Sequence, residues 1–254
     1  MYYTPFIFSM GKPTLYGLIG YPLEHSFSPA YFNAKFLRED IAAGYMPFPI
    51  TDIGQLPALL LQHPNLWGLN VTIPYKETII PLLDELDKDA ATIGAVNCIS
   101  IHNGKTKGYN TDVTGFENSL KPLLAGGMNN AIILGTGGAA RAVKWVLKKL
   151  GINYISVSRQ DKADAINYDE LTADIIHQRK LIINTTPLGM YPHVESYPPI
   201  DYTAISDKHL LYDLVYNPEL TQFLQRGKQQ GAEIKNGYEM LELQAEAAWQ
   251  IWTR

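Results

Sequence analysis

The stretch Gly135-Thr136-Gly137-Gly138-Ala139-Ala140 constrains this chain more than any other. It fits the pattern GxGxxA and lies between a short apolar run, Ala131 to Leu134, and a segment of helical spacing, Arg141 to Leu150. Only in that context does the pattern carry physical meaning. Gly135 permits a tight turn, Gly137 lets the backbone approach a pyrophosphate, and Ala140 lets a helix pack closely on a strand. The N–H groups at the helix start then face the phosphates, and the helix dipole favours their charge. The bland alternative is a glycine-rich turn with no ligand.

From Asn130 onward apolar runs alternate with helical segments. Ile152 to Val157, Leu181 to Asn184 and Leu210 to Val215 read as further strands. Such alternation implies a parallel sheet with crossover helices. Gly237 to Trp252 reads as one helix. In the first half, Thr14 to Ile19, Tyr45 to Ile50 and Leu66 to Thr72 read as strands. Ala30 to Glu39, Ile53 to Gln62 and the acid-rich Pro81 to Ile93 read as helices. Asn97 to Ile101 and Lys105 to Tyr109 flank His102-Asn103-Gly104, a hairpin signal. The chain therefore reads as two α/β units, changing over between Asp112 and Leu120.

A length of 254 residues suits two domains of ordinary size. With 46% hydrophobic and 18% charged residues the chain can bury a core. A net charge of −4 argues against a nucleic-acid partner. The single cysteine, Cys98, excludes an intrachain disulfide, fits a reducing compartment and reads as a small buried hydrophobe. Met1 to Gly20 shows no basic segment followed by a long apolar run, and no apolar run matches a bilayer. The expectation is a soluble, cytoplasmic protein with no membrane partner.

The tip of the second strand of the glycine-rich unit reads Ser156-Val157-Ser158-Arg159. An NAD site usually carries Asp or Glu there, on the ribose 2′-OH. Here Arg159 could instead pair with a 2′-phosphate, Lys162 adds charge, and Asp161 works against a phosphate or for a hydroxyl. Arg159 as a solvated surface residue is the alternative. In the first half Ser26, Ser28, Asn70, Thr72, Lys76, Asn97, Asn110, Thr111 and Asp112 sit at strand ends or in loops. Hydroxyls, amides, one ammonium and one carboxylate suit a ligand with several hydroxyls and a carboxylate. Each residue also has a structural reading: Ser28 or Asp112 as helix caps, Asn70 and Asn97 as loop ties, Lys76 as solvated.

Along nearly its whole length the sequence resembles the shikimate dehydrogenase family. The resemblance rests on these blocks: Gly20-Tyr21-Pro22 with His25-Ser26-Phe27-Ser28-Pro29 and Asn33; Asn70-Val71-Thr72-Ile73-Pro74-Tyr75-Lys76; Gly94-Ala95-Val96-Asn97; Gly108-Tyr109-Asn110-Thr111-Asp112; Gly135 to Arg141; Asn184-Thr185-Thr186-Pro187-Leu188-Gly189-Met190; Asp213-Leu214-Val215-Tyr216-Asn217-Pro218; and Gly237 with Met240, Leu241 and Gln244. It implies an N-terminal α/β substrate domain, residues 1–113 with the helix 238–254 packed back on it, and a Rossmann-like doubly wound NADP domain, residues 114–237. It implies that Lys76 and Asp112 form the catalytic pair. Ser26 and Ser28 would hold the substrate carboxylate, and Thr72, Asn97, Gln244 and Tyr216 the rest of the substrate. Gly135, Thr136, Gly137, Gly138 and Ala139 would hold the pyrophosphate, Ser158 and Arg159 the adenosine end, and Thr185, Leu214 and Gly237 the nicotinamide end. No metal is implied. The family usually shows Asn-Arg-Thr where this chain has Ser158-Arg159-Gln160.

The implied reaction is reversible reduction of 3-dehydroshikimate to shikimate with NADPH, a step in chorismate and aromatic amino acid biosynthesis. A lysine is a poor base at neutral pH, so Lys76 is expected mainly as proton donor in ketone reduction. The alternatives are a quinate/shikimate dehydrogenase using either cofactor and a nucleotide-sensing binding protein without turnover. A monomer or homodimer is expected.

Overall fold

The computed structural model describes residues 13–24, 26–124 and 127–254. His25 of the serine-rich block lies outside the described residues. By packing, the chain divides into two units: Met1–Asp87, Val96–Tyr109 and Ile251–Arg254 form one, and Lys88–Ala95 and Asn110–Gln250 the other.

The first unit runs β1 (Thr14–Gly20), α1 (Phe27–Arg38), β2 (Ala43–Pro49), α2 (Leu56–Gln62), β3 (Leu66–Val71), β4 (Glu85–Leu86), β5 (Cys98–His102) and β6 (Lys105–Tyr109). Its sheet has the order β2-β1-β3-β5-β6-β4. β1 lies parallel to β2 and β3, while β5 is antiparallel to β3 and β6. The β5–β6 hairpin turns at Asn103 and Gly104, with φ of 52° and 76°. Both central residues of a tight hairpin turn of this hand need positive φ, which Asn and Gly tolerate best. α1 begins at Phe27, three residues before the expected Ala30, because Pro29 sits in the first turn, where its missing N–H costs nothing. Cys98 is fully buried, and burial pushes its thiol up from the ordinary range.

The expected helix from Pro81 to Ile93 is only half present: α3 covers Lys88–Ile93. Tertiary pairing overrides the helical pattern before it. Glu85 and Leu86 pair with Lys107 and Gly108, and Asp84 Oδ2 accepts from both the backbone N–H and the hydroxyl of Thr106 at 2.8 Å.

An aromatic core fills the first unit. Trp252 stacks on Tyr16 at 4.9 Å between ring centres and meets Phe32 at 5.2 Å. Its indole N–H donates to the Ile99 carbonyl at 2.9 Å. Gly68 makes room for the indole, since a Cβ there would overlap it.

The second unit holds α3, α4 (Asp112–Leu120), β7 (Asn130–Leu134), α5 (Gly138–Lys149), β8 (Asn153–Ser158), β9 (Ile166–Asn167), α6 (Ala173–His177), β10 (Leu181–Asn184), β11 (Leu210–Asp213), α7 (Gln222–Gln229), β12 (Glu233–Lys235) and α8 (Tyr238–Trp252) as far as Gln250. Its strands are all parallel, in the order β9-β8-β7-β10-β11-β12. Counted from β7 that is 3-2-1-4-5-6, the doubly wound order of dinucleotide-binding sheets. Ala131, Ile133, Ile183 and Tyr212 pack on one face with Phe116, Val143 and Met240. Ile132, Leu134, Ile182 and Leu211 pack on the other with Ile176, Phe223 and Leu224. Covering on both faces explains why these strands read as unbroken apolar runs. Among the described residues no helix is long and apolar enough to cross a membrane.

Candidate active site

In the second unit the chain crosses from one side of the sheet to the other between β7 and β10, and a doubly wound sheet binds its ligand at that switch point. Gly135 follows β7 directly, with φ of +109°, and its N–H donates to the Val157 carbonyl at 2.9 Å. A side chain there would be strained by that φ and would meet Thr185 Oγ1 at 2.6 Å. The Thr185 hydroxyl donates to the Leu134 carbonyl at 2.7 Å, so the two strand tips are tied together.

Gly137 occupies the N-cap of α5 without a side-chain cap bond, and open space lies where its Cβ would be. An uncapped helix start beside open space, framed by Thr136, Gly138 and Ala139, fits a pyrophosphate. Lys162 Nζ donates to Thr136 Oγ1 at 2.8 Å, bringing a cation to the same turn. Ser158 ends β8, where its hydroxyl accepts from the Gln160 N–H at 3.1 Å, and the exposed Arg159 follows. Asp161 is engaged by the Asn167 amide at 2.7 Å.

The tips of β10 and β11 carry a buried polar network. Asp213 is fully buried and accepts from Asn184 Nδ2 at 2.9 Å, the Val215 N–H at 3.0 Å and the Thr221 hydroxyl at 2.5 Å. Burial pushes its carboxyl up to about 7, against the opposing pull of those three donors. Asn184 Oδ1 also accepts from the N–H and hydroxyl of Thr186. Leu214 is pinned to Asn184 by a backbone bond of 3.0 Å, and Gly237 to Val215 by one of 3.1 Å. A side chain on Gly237 would strike the Leu214 carbonyl. Thus Gly135, Thr185, Leu214 and Gly237 gather at one edge of one sheet. Half-buried Tyr216 follows in the same loop, and burial raises its phenol from the ordinary value.

Also in this unit, Asp112 opens α4, and Asn110 caps that helix by accepting from the Val113 N–H at 3.4 Å while its amide donates to the Ala95 carbonyl at 3.0 Å. Asp112 is 7% exposed and stands one residue inside the helix, whose N-cap is Thr111, so it is not the cap its position in the sequence also allowed. Gln244 Oε1 accepts from the Thr111 hydroxyl at 3.3 Å. α4 and α8 touch at Gly115, where a Cβ would approach Gln244 to 3.0 Å.

In the first unit Ser26 occupies the N-cap of α1 without making a side-chain cap bond, and Ser28 lies inside the first turn, 8% exposed. Thr72 follows β3, and its N–H donates to the Ile19 carbonyl at 2.9 Å. The Lys76 carbonyl accepts from the Val96 N–H at 2.7 Å, and the Asn97 N–H donates to the Tyr109 carbonyl at 3.0 Å. Thr72, Lys76 and Asn97 are thereby collected beyond the end of β3. Reading the sequence missed Asp213, Thr221 and the buried Tyr45, whose hydroxyl donates to Asn70 Oδ1 at 2.7 Å. Polar letters at the tips of apolar strands, Asn184 and Asp213, were the available signal. Among the described residues no cluster of His, Cys, Asp and Glu could hold a metal ion.

Residues 18–99 match the model of the shikimate dehydrogenase substrate binding domain. A shikimate dehydrogenase (NADP(+)) from Desulforamulus reducens is 39% identical, over 96% of this chain and 91% of its own length. The crystal structure of shikimate dehydrogenase from Aquifex aeolicus superposes with a TM-score of 0.85 at 35% identity, covering 94% of this chain and 92% of that one. That of shikimate 5-dehydrogenase from Thermus thermophilus, in complex with NADP(H) and shikimate, gives 0.84 at 28% identity, covering 94% and 93%.

Proposed function

We infer the activity from one premise: this chain belongs to the shikimate dehydrogenase family. It is an NADP-dependent oxidoreductase that interconverts 3-dehydroshikimate and shikimate, serving aromatic amino acid biosynthesis. Identity of 39% sustained over 96% of the chain carries this conclusion. In our reading residues 1–113 with the helix 238–254 form the substrate domain, and residues 114–237 bind NADP.

The cofactor, when bound, supplies or accepts the hydride. Gly135 to Ala139 would hold its pyrophosphate through backbone N–H groups, with Lys162 adding charge and Arg159 taking the 2′-phosphate. Thr185, Leu214 and Gly237 would line its other end. The chain's own residues then manage the substrate and one proton. Ser26 and Ser28 offer hydroxyl donors to the carboxylate. Thr72, Asn97, Tyr216 and Gln244 bind the ring substituents. In the reducing direction the Lys76 ammonium gives its proton to the carbonyl oxygen and stabilises negative charge there. In the oxidising direction the neutral amine takes that proton back. Asp112 receives a hydrogen bond from the reacting hydroxyl and orients Lys76.

The reading extends to a soluble cytoplasmic enzyme, monomer or homodimer, without nucleic-acid or membrane partners. The net charge of −4 and the lone buried cysteine support it. The deciding experiment follows reduced nicotinamide by absorbance while shikimate and quinate are crossed with NADP and NAD. Shikimate with NADP is expected to give the highest kcat/KM. Tight NADPH binding without shikimate-dependent turnover would overturn the assignment.

A further inference from the structure

Three neighbouring strands of the second sheet end in register at Leu134, Asn184 and Asp213. Residues two apart on a strand share a face. The row two residues earlier, Ile132, Ile182 and Leu211, is wholly apolar and packs with Phe223 and Leu224, and Leu134 continues that layer. A sheet that needed only a filled layer would place apolar residues at the next two tips as well. It carries instead an amide and a carboxyl, both 0% exposed. A buried polar group is retained at a cost unless it is bonded. The bonds of Asp213 go to three separate places. Its Oδ1 accepts from Asn184 Nδ2 at the tip of β10, directly before Thr185. The same oxygen accepts from the Val215 N–H, directly after Leu214. Its Oδ2 accepts from the hydroxyl of Thr221, the N-cap of α7. The loop that begins at Thr185 returns to the same anchor at its far end. Gly189 has a φ of +90°, and a Cβ there would stand 3.2 Å from Thr221 Cβ. Beyond it the Tyr191 N–H donates to the Asn217 carbonyl at 3.2 Å. One carboxyl thus holds together the loops that follow β10 and β11.

We propose that Asp213 is a positioning residue for hydride transfer, its carboxyl setting the spacing of the two loops that carry Thr185 and Leu214 and so the seat of the nicotinamide. The inference rests on the reading of Thr185 and Leu214 as residues of the cofactor's nicotinamide end. Asp213 acts through the Asn184 amide and the Val215 N–H, not on the reacting atoms. Hydride transfer needs its two carbons close and aligned, and a displacement of about 1 Å can cost about a hundredfold in rate. The glycine turn that receives the pyrophosphate lies between β7 and α5 and takes no bond from Asp213. Loss of the carboxyl should therefore appear in the chemical step and not in cofactor affinity.

The test is D213L, which fills the layer and removes all three bonds, beside D213N, which keeps an oxygen acceptor and adds an amide donor at the same place. The readout is NADPH formation from bound NADP and shikimate in a single turnover, which isolates the chemical step. D213L is expected to slow that step about ten- to a hundredfold. The KM values for NADP and shikimate should change by less than about threefold, and D213N should keep the step within about threefold of wild type. If D213L lowers Tm but transfers hydride at the wild-type rate, the carboxyl is structural and the proposal is wrong. An equal loss in D213L and D213N would also overturn it, because the hydrogen bonds would then not be what sets the loops. L214A separates this proposal from the reading beneath it. If L214A moves neither the NADP KM nor the hydride step, Leu214 is not at the nicotinamide, and the proposal falls with that reading. If L214A slows the step and D213L does not, the proposal alone fails. Should D213L not fold, T221V removes one of the three bonds at nearly constant shape and T221S keeps it. The step should then slow about threefold or more in T221V and stay near wild type in T221S, the size of one lost hydrogen bond. Equal rates in those two variants would overturn the proposal.

Discussion

The substitution Asp213→Asn isolates the cost of one buried carboxyl. Asp213 rises from 3.8 to about 7 because it is buried, and three donors only partly offset that. A carboxyl whose pKa is higher in the folded state binds its proton more tightly there. Its contribution to stability is complete below about pH 3.8 and is lost as pH rises through about 7. The full difference corresponds to about 4 kcal/mol. Between about pH 5 and about pH 8 the loss is about 2.5 kcal/mol, with a slope near 1.4 kcal/mol per pH unit at the acid end. An asparagine amide does not titrate. It can still accept from Asn184 and Val215 through its oxygen and donate to Thr221 through its nitrogen, with the Thr221 hydroxyl turning from donor to acceptor. Urea unfolding of both proteins across this range should therefore show the wild-type advantage over D213N shrinking by about 2.5 kcal/mol as pH rises. His209, which burial pushes down, acts with the opposite sign, losing stability as pH falls, but it is present in both proteins and cancels. Parallel stability curves would refute the reasoning, because Asp213 would then titrate alike in the folded and unfolded chains.

Lys76→Ala should cut turnover at least about a hundredfold while NADPH affinity, followed by fluorescence titration, stays within about twofold; near-normal turnover would remove Lys76 from the chemistry. Arg159→Ala should weaken NADPH far more than NADH, read as the ratio of the two KM values, and an equal loss for both would show that Arg159 does not read the 2′-phosphate. Trp252→Ala should cost about 3–5 kcal/mol, through the cavity it leaves and the Ile99 carbonyl it strands, measured as a lower Tm and urea midpoint. A loss under about 1 kcal/mol would mean that the aromatic cluster closes without the indole.

The parts of the fold legible in the sequence were those whose environment is simplest. β7, β10 and β11 are buried on both faces, so their letters are apolar without interruption. The hairpin at Asn103-Gly104 announced itself because few other residues accept its φ values. β4, β9 and β12 are two or three residues long and partly polar, and their existence depends on a neighbouring strand that no local pattern reveals. α7 reads as polar, QFLQRGKQ, and only Phe223, Leu224 and Gly227 reach the core. The glycine turn was legible because each glycine answers a steric demand, as the approach of Thr185 to Gly135 shows. The Asp213–Asn184–Thr221 and Tyr45–Asn70 contacts were not, since they join residues distant in sequence whose letters have ordinary uses.

The indole of Trp252 lies 153 residues downstream of the carbonyl it binds. A ribosome makes every strand of the first sheet, then all of the second, before it makes the ring that plugs the first. Until then Gly68 faces a void and Tyr16 and Phe32 lack the indole they pack against, so the first sheet is among the last parts to settle. A chaperone meeting this chain mid-synthesis would find its exposed apolar surface at the front end, not at the growing one.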